Sequence, residues 1–136
     1  MAELLTSLNW LAVLTATVIY FGLGALWYSP LMFAKTWMEL RNIKEEDIDG
    51  PNPIIFLYSF ILQAIAVTSL ALFISAMGVE GATNGAIIGL GAGAGILFTL
   101  AGTTGIFSDL KLKLHFIDSG YHVIGMILAG LILGWW

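Results

Sequence analysis

The segment HFIDSGYHVIG, residues 115–125, sets His115, Asp118 and His122 into an otherwise apolar run. At 100° per residue these three lie within about 60° of one another on a helix, forming one stripe with Ser119 beside it. An imidazole and a carboxylate four residues apart can pair with each other, relay a proton or face a passing cation. Depth separates their roles. If the helix enters hydrocarbon near Phe116, a rise of 1.5 Å per residue puts Asp118 a few ångströms inside and His122 about 9 Å inside. His115 and Asp118 then reach headgroups or water, Asp118 is favoured by the helix dipole, and His115 is expected to be expendable. His122 needs Asp118 as a partner or must line a wet cavity; a satisfied structural pair and a proton or cation site both remain open. No metal or cofactor is expected, because His115 is two turns from His122 and one helix cannot close a zinc site with all three. Ser59 and Gln63 share a face of another apolar stretch that can meet His122, while Tyr20, Thr68, Thr103 and Thr104 are expected to hydrogen-bond between helices.

The elements that position these residues follow from composition. Of 136 residues 59% are apolar and only 10% charged, too few polar groups to cover a soluble core of this size, so the solvent must be lipid. There are no cysteines, which removes disulfides and thiolate metal sites. A net charge of −4 argues against nucleic acid as a partner. A Gly-x-Ser-x-Gly elbow, a phosphate loop and a nucleotide fingerprint are all missing from the sequence, so a non-enzymatic role is expected.

Four stretches, 8–28, 53–77, 82–107 and 116–136, are long enough to cross about 30 Å of hydrocarbon as helices. The first lacks a basic leader and is read as a retained span rather than a cleaved signal. Asn52 and Pro53 form an N-cap and first-turn proline for the second. The short turn 78–81 forces the second and third spans into an antiparallel hairpin. The expected fold is all-α: one transmembrane domain over 1–136, a four-helix bundle of two antiparallel hairpins. All five basic residues, Lys35, Arg41, Lys44, Lys111 and Lys113, fall in the two loops on one side, which the positive-inside rule makes cytoplasmic, with both termini outside. The acidic run Glu45, Glu46, Asp47 and Asp49 weighs little in that rule. Within the cytoplasmic loop 29–52, residues 31–40 place Phe33, Trp37 and Leu40 at helical spacing with Lys35, Glu39 and Arg41 toward water, the pattern of an interfacial helix. Residues 41–52 read as a short solvated turn, and LKLKLHF as an extended or distorted lead-in to the fourth span.

Gly81, Gly85, Gly89 and Gly93 recur every four residues, with Gly91 and Gly95 repeating the spacing on an adjoining face. Such faces let helix backbones approach closely in lipid. They either pack within one chain, against the first or fourth helix, or form a subunit interface; four spans leave so broad a face partly uncovered, which favours a homo-oligomer.

Asn9, Trp10, Leu11 and Ala12, then Trp27, Tyr28, Ser29 and Pro30 with Phe33 and Trp37, then Ile117, Asp118, Gly120, Tyr121 and His122 together resemble the small bacterial membrane proteins grouped as domain-of-unknown-function family seventeen sixty-one. The resemblance covers nearly the whole chain and implies a four-helix protein of the bacterial cytoplasmic membrane. It carries no assigned activity, so no site residue is transferred from it. It does bring two motifs to the cytoplasmic ends of the first and fourth helices, where they can meet, and carbonyls freed at Tyr28, Ser29 and Pro30 are expected to accept from Tyr121 or His122. The functional expectation is an oligomeric small-solute, ion or proton transporter or channel built on Asp118, His122, Tyr121, His115, Ser59 and Gln63. The alternative is an accessory subunit whose polar cluster only pins helices together; a membrane enzyme is a distant third.

Overall fold

The computed structural model describes residues 2–44, 46, 50, 52–109 and 111–136. Glu45, Asp47 and Asp49 of the acidic run lie outside the described residues, so the solvated turn expected there is seen only in part. The described chain is all-helical: α1 (Ala2–Ser7), α2 (Trp10–Trp27), α3 (Ala34–Arg41), α4 (Pro53–Ala76), α5 (Ala82–Leu90), a π-helical stretch (Gly91–Phe98), α6 (Thr99–Ile106) and α7 (Leu112–Trp135). Among the described residues, four helical runs are long and apolar enough to cross a membrane: α2, α4, the continuous run Ala82–Ile106, and α7.

Local chemistry sets the helix starts. Asn9 caps α2 through side-chain bonds from the backbone N–H of Leu11 (3.1 Å) and Ala12 (3.2 Å). Asn52 caps α4 in the same way, accepting from Ile54 at 3.0 Å, with Pro53 at the first helical position as the sequence predicts. The turn after α4 uses glycine where the backbone is left-handed, at Gly78 (φ 61) and Gly81 (φ 92). The third span therefore reverses direction, and the Gly81 N–H donates to the carbonyl of Gly134 at 2.8 Å, tying this turn to the far end of α7.

α7 is the central helix. It packs along α2, along α5 and the π-helical stretch, and more briefly on α4, whereas α4 and α5 make only a small contact. The glycine face explains the closest of these contacts. A Cβ added at Gly85 would overlap the carbonyl of Gly130, one at Gly89 would overlap the carbonyl of Met126, and one at Gly93 would lie 2.8 Å from the Cα of Val123. Gly81, Gly85, Gly89 and Gly93 thus pack against the fourth helix of their own chain, the within-chain alternative of the two open readings. Gly91 and Gly95 meet nothing within 4 Å.

The structure departs from the sequence reading at three places. Residues 112–116 are already helical, so the expected extended lead-in to the fourth span is a turn of α7; Lys111, extended at φ −67 and ψ 122, is its cap. Alternating residues over so short a run are equally compatible with a helix once α7 can bury Leu114 and His115. The third span is interrupted by the π-helical stretch, whose wider turn lets a five-residue step, from Gly93 to Phe98, stay on the face that meets α7. Thr68, Thr103 and Thr104 bond to carbonyls four residues back in their own helices rather than between helices.

Candidate functional site

α2 and α4 are deeply buried over only part of their length, and toward the other end they meet through Phe21, whose ring lies edge-on to those of Phe56 and Phe60. Ala12, Val13, Ala16, Thr17 and Tyr20 of α2 are buried, as are Val67, Leu70, Ala71 and Ile74 of α4. From Phe21 onward α2 has no fully buried residue, nor has the first half of α4, where Ile54, Ile55, Phe56, Leu57 and Tyr58 are more than half exposed. Between these parts, α7 and α3 lies a cleft of about 1140 Å³. Its walls are mainly apolar, including Phe21, Ala25, Ile55 and Phe56, and its polar groups are Tyr28, Arg41, Ser59, Gln63, Asp118, Tyr121 and His122. Beyond Tyr20 the bundle closes, with Thr17, Tyr20, Val67 and Leu70 almost completely buried.

One carboxylate fastens three elements at the basic end. Asp118 Oδ1 accepts from the Tyr28 hydroxyl at 2.9 Å and from the Trp37 indole N–H at 3.0 Å. Its Oδ2 lies 3.6 Å from Arg41 Nη2, a Coulombic contact too long for a hydrogen bond. Arg41 also stacks over the Trp37 ring at 4.7 Å, so it does not simply face water as its helical position suggests. Tyr28, one residue beyond α2, has its phenol held above the ordinary value first by burial and then by the Asp118 charge; it remains a donor at physiological pH. The neighbouring Trp27 donates to the carbonyl of Ile117 at 3.0 Å, with its ring beside Gly120. The two motifs at the ends of the first and fourth helices therefore do meet.

His122 does not pair with Asp118. Its Nδ1 lies 2.6 Å from the hydroxyl of Tyr20, and that phenol is 1% exposed. With no other acceptor for its proton among the described residues, the phenol must donate to Nδ1, which leaves the proton of the neutral imidazole on Nε2. The pairing by sequence proximity fails because α2 offers better partners to both residues: Tyr28 for the carboxylate and Tyr20 for the ring. Gly125 makes room, since a Cβ there would overlap the Tyr20 ring. Tyr20→Phe is accordingly expected to cost about 1 kcal/mol of stability, a typical net hydrogen bond. Proton chemical shifts of the His122 ring in the variant check whether the fixed tautomer is lost.

Tyr121 also finds an acceptor other than the expected one. Its hydroxyl donates to the carbonyl of Tyr20 at 3.2 Å rather than to one at Tyr28, Ser29 or Pro30, of which the Ser29 carbonyl accepts from the N–H groups of Met32 and Ala34. The same hydroxyl accepts from Gln63 Nε2 at 2.7 Å and sits beside Gly24. Gln63 thus reaches Tyr121 rather than His122, and its Oε1 is buried with no hydrogen-bond partner. Ser59 lines the cleft one turn away, and no hydrogen bond of its hydroxyl is found among the described residues.

His115 corrects the expectation most sharply. It is 6% exposed rather than at the headgroups, with Nδ1 3.0 Å from Ser119 Oγ and its ring 4.3 Å from that of Phe98. It faces the third span, opposite Gly102, away from the cleft, so the stripe of His115, Asp118 and His122 divides between two neighbours. His115→Ala is therefore expected to destabilise the fold, by about 1–3 kcal/mol for an emptied site and an unpaired buried group, rather than to be silent. Thermal unfolding in detergent measures it. Among the described residues, no group of three or more His, Asp or Glu side chains is placed to hold a metal.

Residues 11–134 match the model of the family described as Protein of unknown function (DUF1761). The chain belongs to this family. No curated protein and no solved structure matches it. Membership agrees with a four-helix membrane protein and assigns no chemistry, so the site rests on its geometry. Of the residues that complete it, Tyr20 is expected from the sequence to bond between helices and does so with His122, whereas Tyr28 and Trp37 stand in the sequence only as motif aromatics and Arg41 as a water-facing cation. The available signal was that they are side-chain donors placed near the ends of spans whose acceptors are few.

Proposed function

We propose that this family member is a non-enzymatic transport protein that takes a small solute into the cleft between α2, α4 and α7, with His122, Gln63 and Ser59 as the groups that touch it. The observation that carries this reading is the one-sided cleft, which reaches His122 and stops at the packed layer of Thr17, Tyr20, Val67 and Leu70. A site accessible from one face and sealed toward the other has the geometry of one end state of alternating access. Asp118 serves in this reading as the fastener of α3 over the cleft rather than as a relay. The full set of protein partners around Asp118 favours a second reading, an accessory membrane subunit whose cluster only joins helices.

The reading places the open side of the cleft in the cytoplasm of a bacterial cell, with both termini outside, because every Lys and Arg lies at that end. In this cysteine-free chain, cysteines replacing Lys35 and Lys111 are expected to react with an impermeant reagent only when it reaches the cytoplasm, and one replacing Glu80 only from outside. Labelling of Glu80→Cys from the cytoplasm in intact cells reverses the orientation. A homo-oligomer, part of the same reading, must use a surface other than the glycine face, which α7 already occupies.

Proteoliposome flux separates the two roles. With protons, potassium, glycerol and hexanamide as probes, the wild type is expected to pass at least one faster than protein-free vesicles, and His122→Gln to abolish that flux with little change in melting temperature. No flux for any probe, with a stable complex containing another membrane protein, decides for the accessory role.

A further inference from the structure

Resting on that reading of the cleft, we infer that its ligand is an uncharged amphiphile whose polar head both donates and accepts hydrogen bonds, of the class of a primary amide or alcohol on an alkyl chain. The polar inventory of the cleft carries this. Tyr28 and Trp37 are spent on Asp118, and Tyr121 is spent between Gln63 and Tyr20. Three groups keep capacity. Gln63 Oε1 is a buried acceptor with no partner. Ser59 Oγ is one turn from it on α4, able to donate or accept. His122 Nε2 carries the proton that the Tyr20 bond to Nδ1 leaves there, and the residue lines the cleft from α7. Two of the three are fixed in opposite senses, an acceptor and a donor, so the complementary head must offer both. An amide NH2 and carbonyl, or a hydroxyl, does so; an ammonium has no acceptor and a carboxylate no donor.

Charge selects in the same direction. Among the described residues the cleft has two charged side chains, Asp118 and Arg41, which lie 3.6 Å apart and balance one another. A charged head would lose part of its hydration against largely apolar walls with no counter-charge among the described residues left to meet it, which is costly. The remaining walls give the tail its place. Phe21, Ala25, Ile55 and Phe56 line the cleft, and the first half of α4 exposes Ile54, Leu57 and Tyr58 beside it, so an alkyl chain can leave the head group and continue into surrounding lipid without crossing a polar surface. Gln63 explains why the head matters: an acceptor left unpaired under the surface costs free energy that an arriving N–H or O–H removes after a small rotation of the side chain.

The experiment uses the full chain in nanodiscs and three probes of equal chain length, octanamide, octylammonium and octanoate, with empty nanodiscs subtracted for partitioning. Tryptophan fluorescence, through Trp37 in the cleft wall, and calorimetry read the binding. Octanamide is expected to bind saturably and at least tenfold more tightly than either charged probe. Gln63→Leu and, independently, Ser59→Ala with His122→Phe are expected to weaken it at least tenfold while melting stays cooperative. Arg41→Gln, which leaves Asp118 unbalanced, is expected to shift preference toward octylammonium. Saturable binding in which a charged head is preferred, or in which Gln63→Leu has no effect, overturns the inference and leaves the cleft a ligand site. Absence of saturable binding for all three heads, in the wild type and in Arg41→Gln, overturns the ligand-site reading itself.

Discussion

Asp118→Ala is expected to free α3 from the bundle and to lower stability by about 2–4 kcal/mol, since hydrogen bonds to a charged group contribute about 1.5–3 kcal/mol each and the partial exposure of this carboxylate weakens both. The carboxylate accepts from Tyr28 and Trp37, and both donors lose their partner together. The ion pair adds little, because the Arg41 and Asp118 side chains are 47% and 31% exposed and the contact is solvent-screened. Hydrogen exchange over residues 34–41 checks the assignment: α3 is expected to lose protection before α2 and α7 do. Asp118→Asn keeps an acceptor at the same place and is expected to lose less than half as much. Equal loss in the two variants points instead to the charge as the main fastener.

Gly85→Leu is expected to be at least as damaging, by a different mechanism. Overpacking in a tight interior costs about 1–3 kcal/mol where side chains can shift, and occasionally more. Here the first atom of the new side chain meets backbone, the Gly130 carbonyl, and the Cα of Gly134 lies 2.9 Å away. Neither is the end of a flexible side chain, so α5 and α7 must separate along their length. The Gly81 to Gly134 bond at the turn goes with them. Gly91→Leu, six residues on and facing open space, is expected to leave melting unchanged. Melting curves for the pair test this, and equal melting would show that α5 does not pack on α7 as described. Mass in mild detergent supplies a second reading: loss of an oligomer in Gly85→Leu with normal melting would assign the glycine face to a subunit interface after all.

The residues show why the bundle was legible and the site only partly so. Four spans follow from length and hydropathy, and the start of α4 from Asn52 and Pro53, because those features act within a few residues of themselves. The π-helical stretch was not legible, since Gly91, Ala92, Gly93, Ala94 and Gly95 have almost no side chain with which to mark a period. Partner choice was the larger failure. One helix periodicity put His115, Asp118 and His122 on one stripe and suggested the nearest pair, but a 60° spread is enough for neighbours on two sides of α7 to claim different members. Phe98 and Ser119 hold His115, Tyr20 holds His122, and three side chains from α2 and its following segment hold Asp118. Trp37 and Arg41 reach Asp118 only because the chain turns back at Ser29 and Pro30, so their role depends on a tertiary event that spacing along the sequence does not encode.

The central claim is that the bundle holds a cleft open at its basic end and sealed beyond Tyr20. Ser59→Cys, in a chain with no other cysteine, measures this directly through its rate of reaction with a water-soluble maleimide in oriented proteoliposomes. Reagent on the side of the Lys and Arg residues is expected to modify Ser59→Cys within about tenfold of the rate at an exposed Lys35→Cys, while Leu70→Cys stays unmodified. A Ser59→Cys as inert as Leu70→Cys would contradict the account.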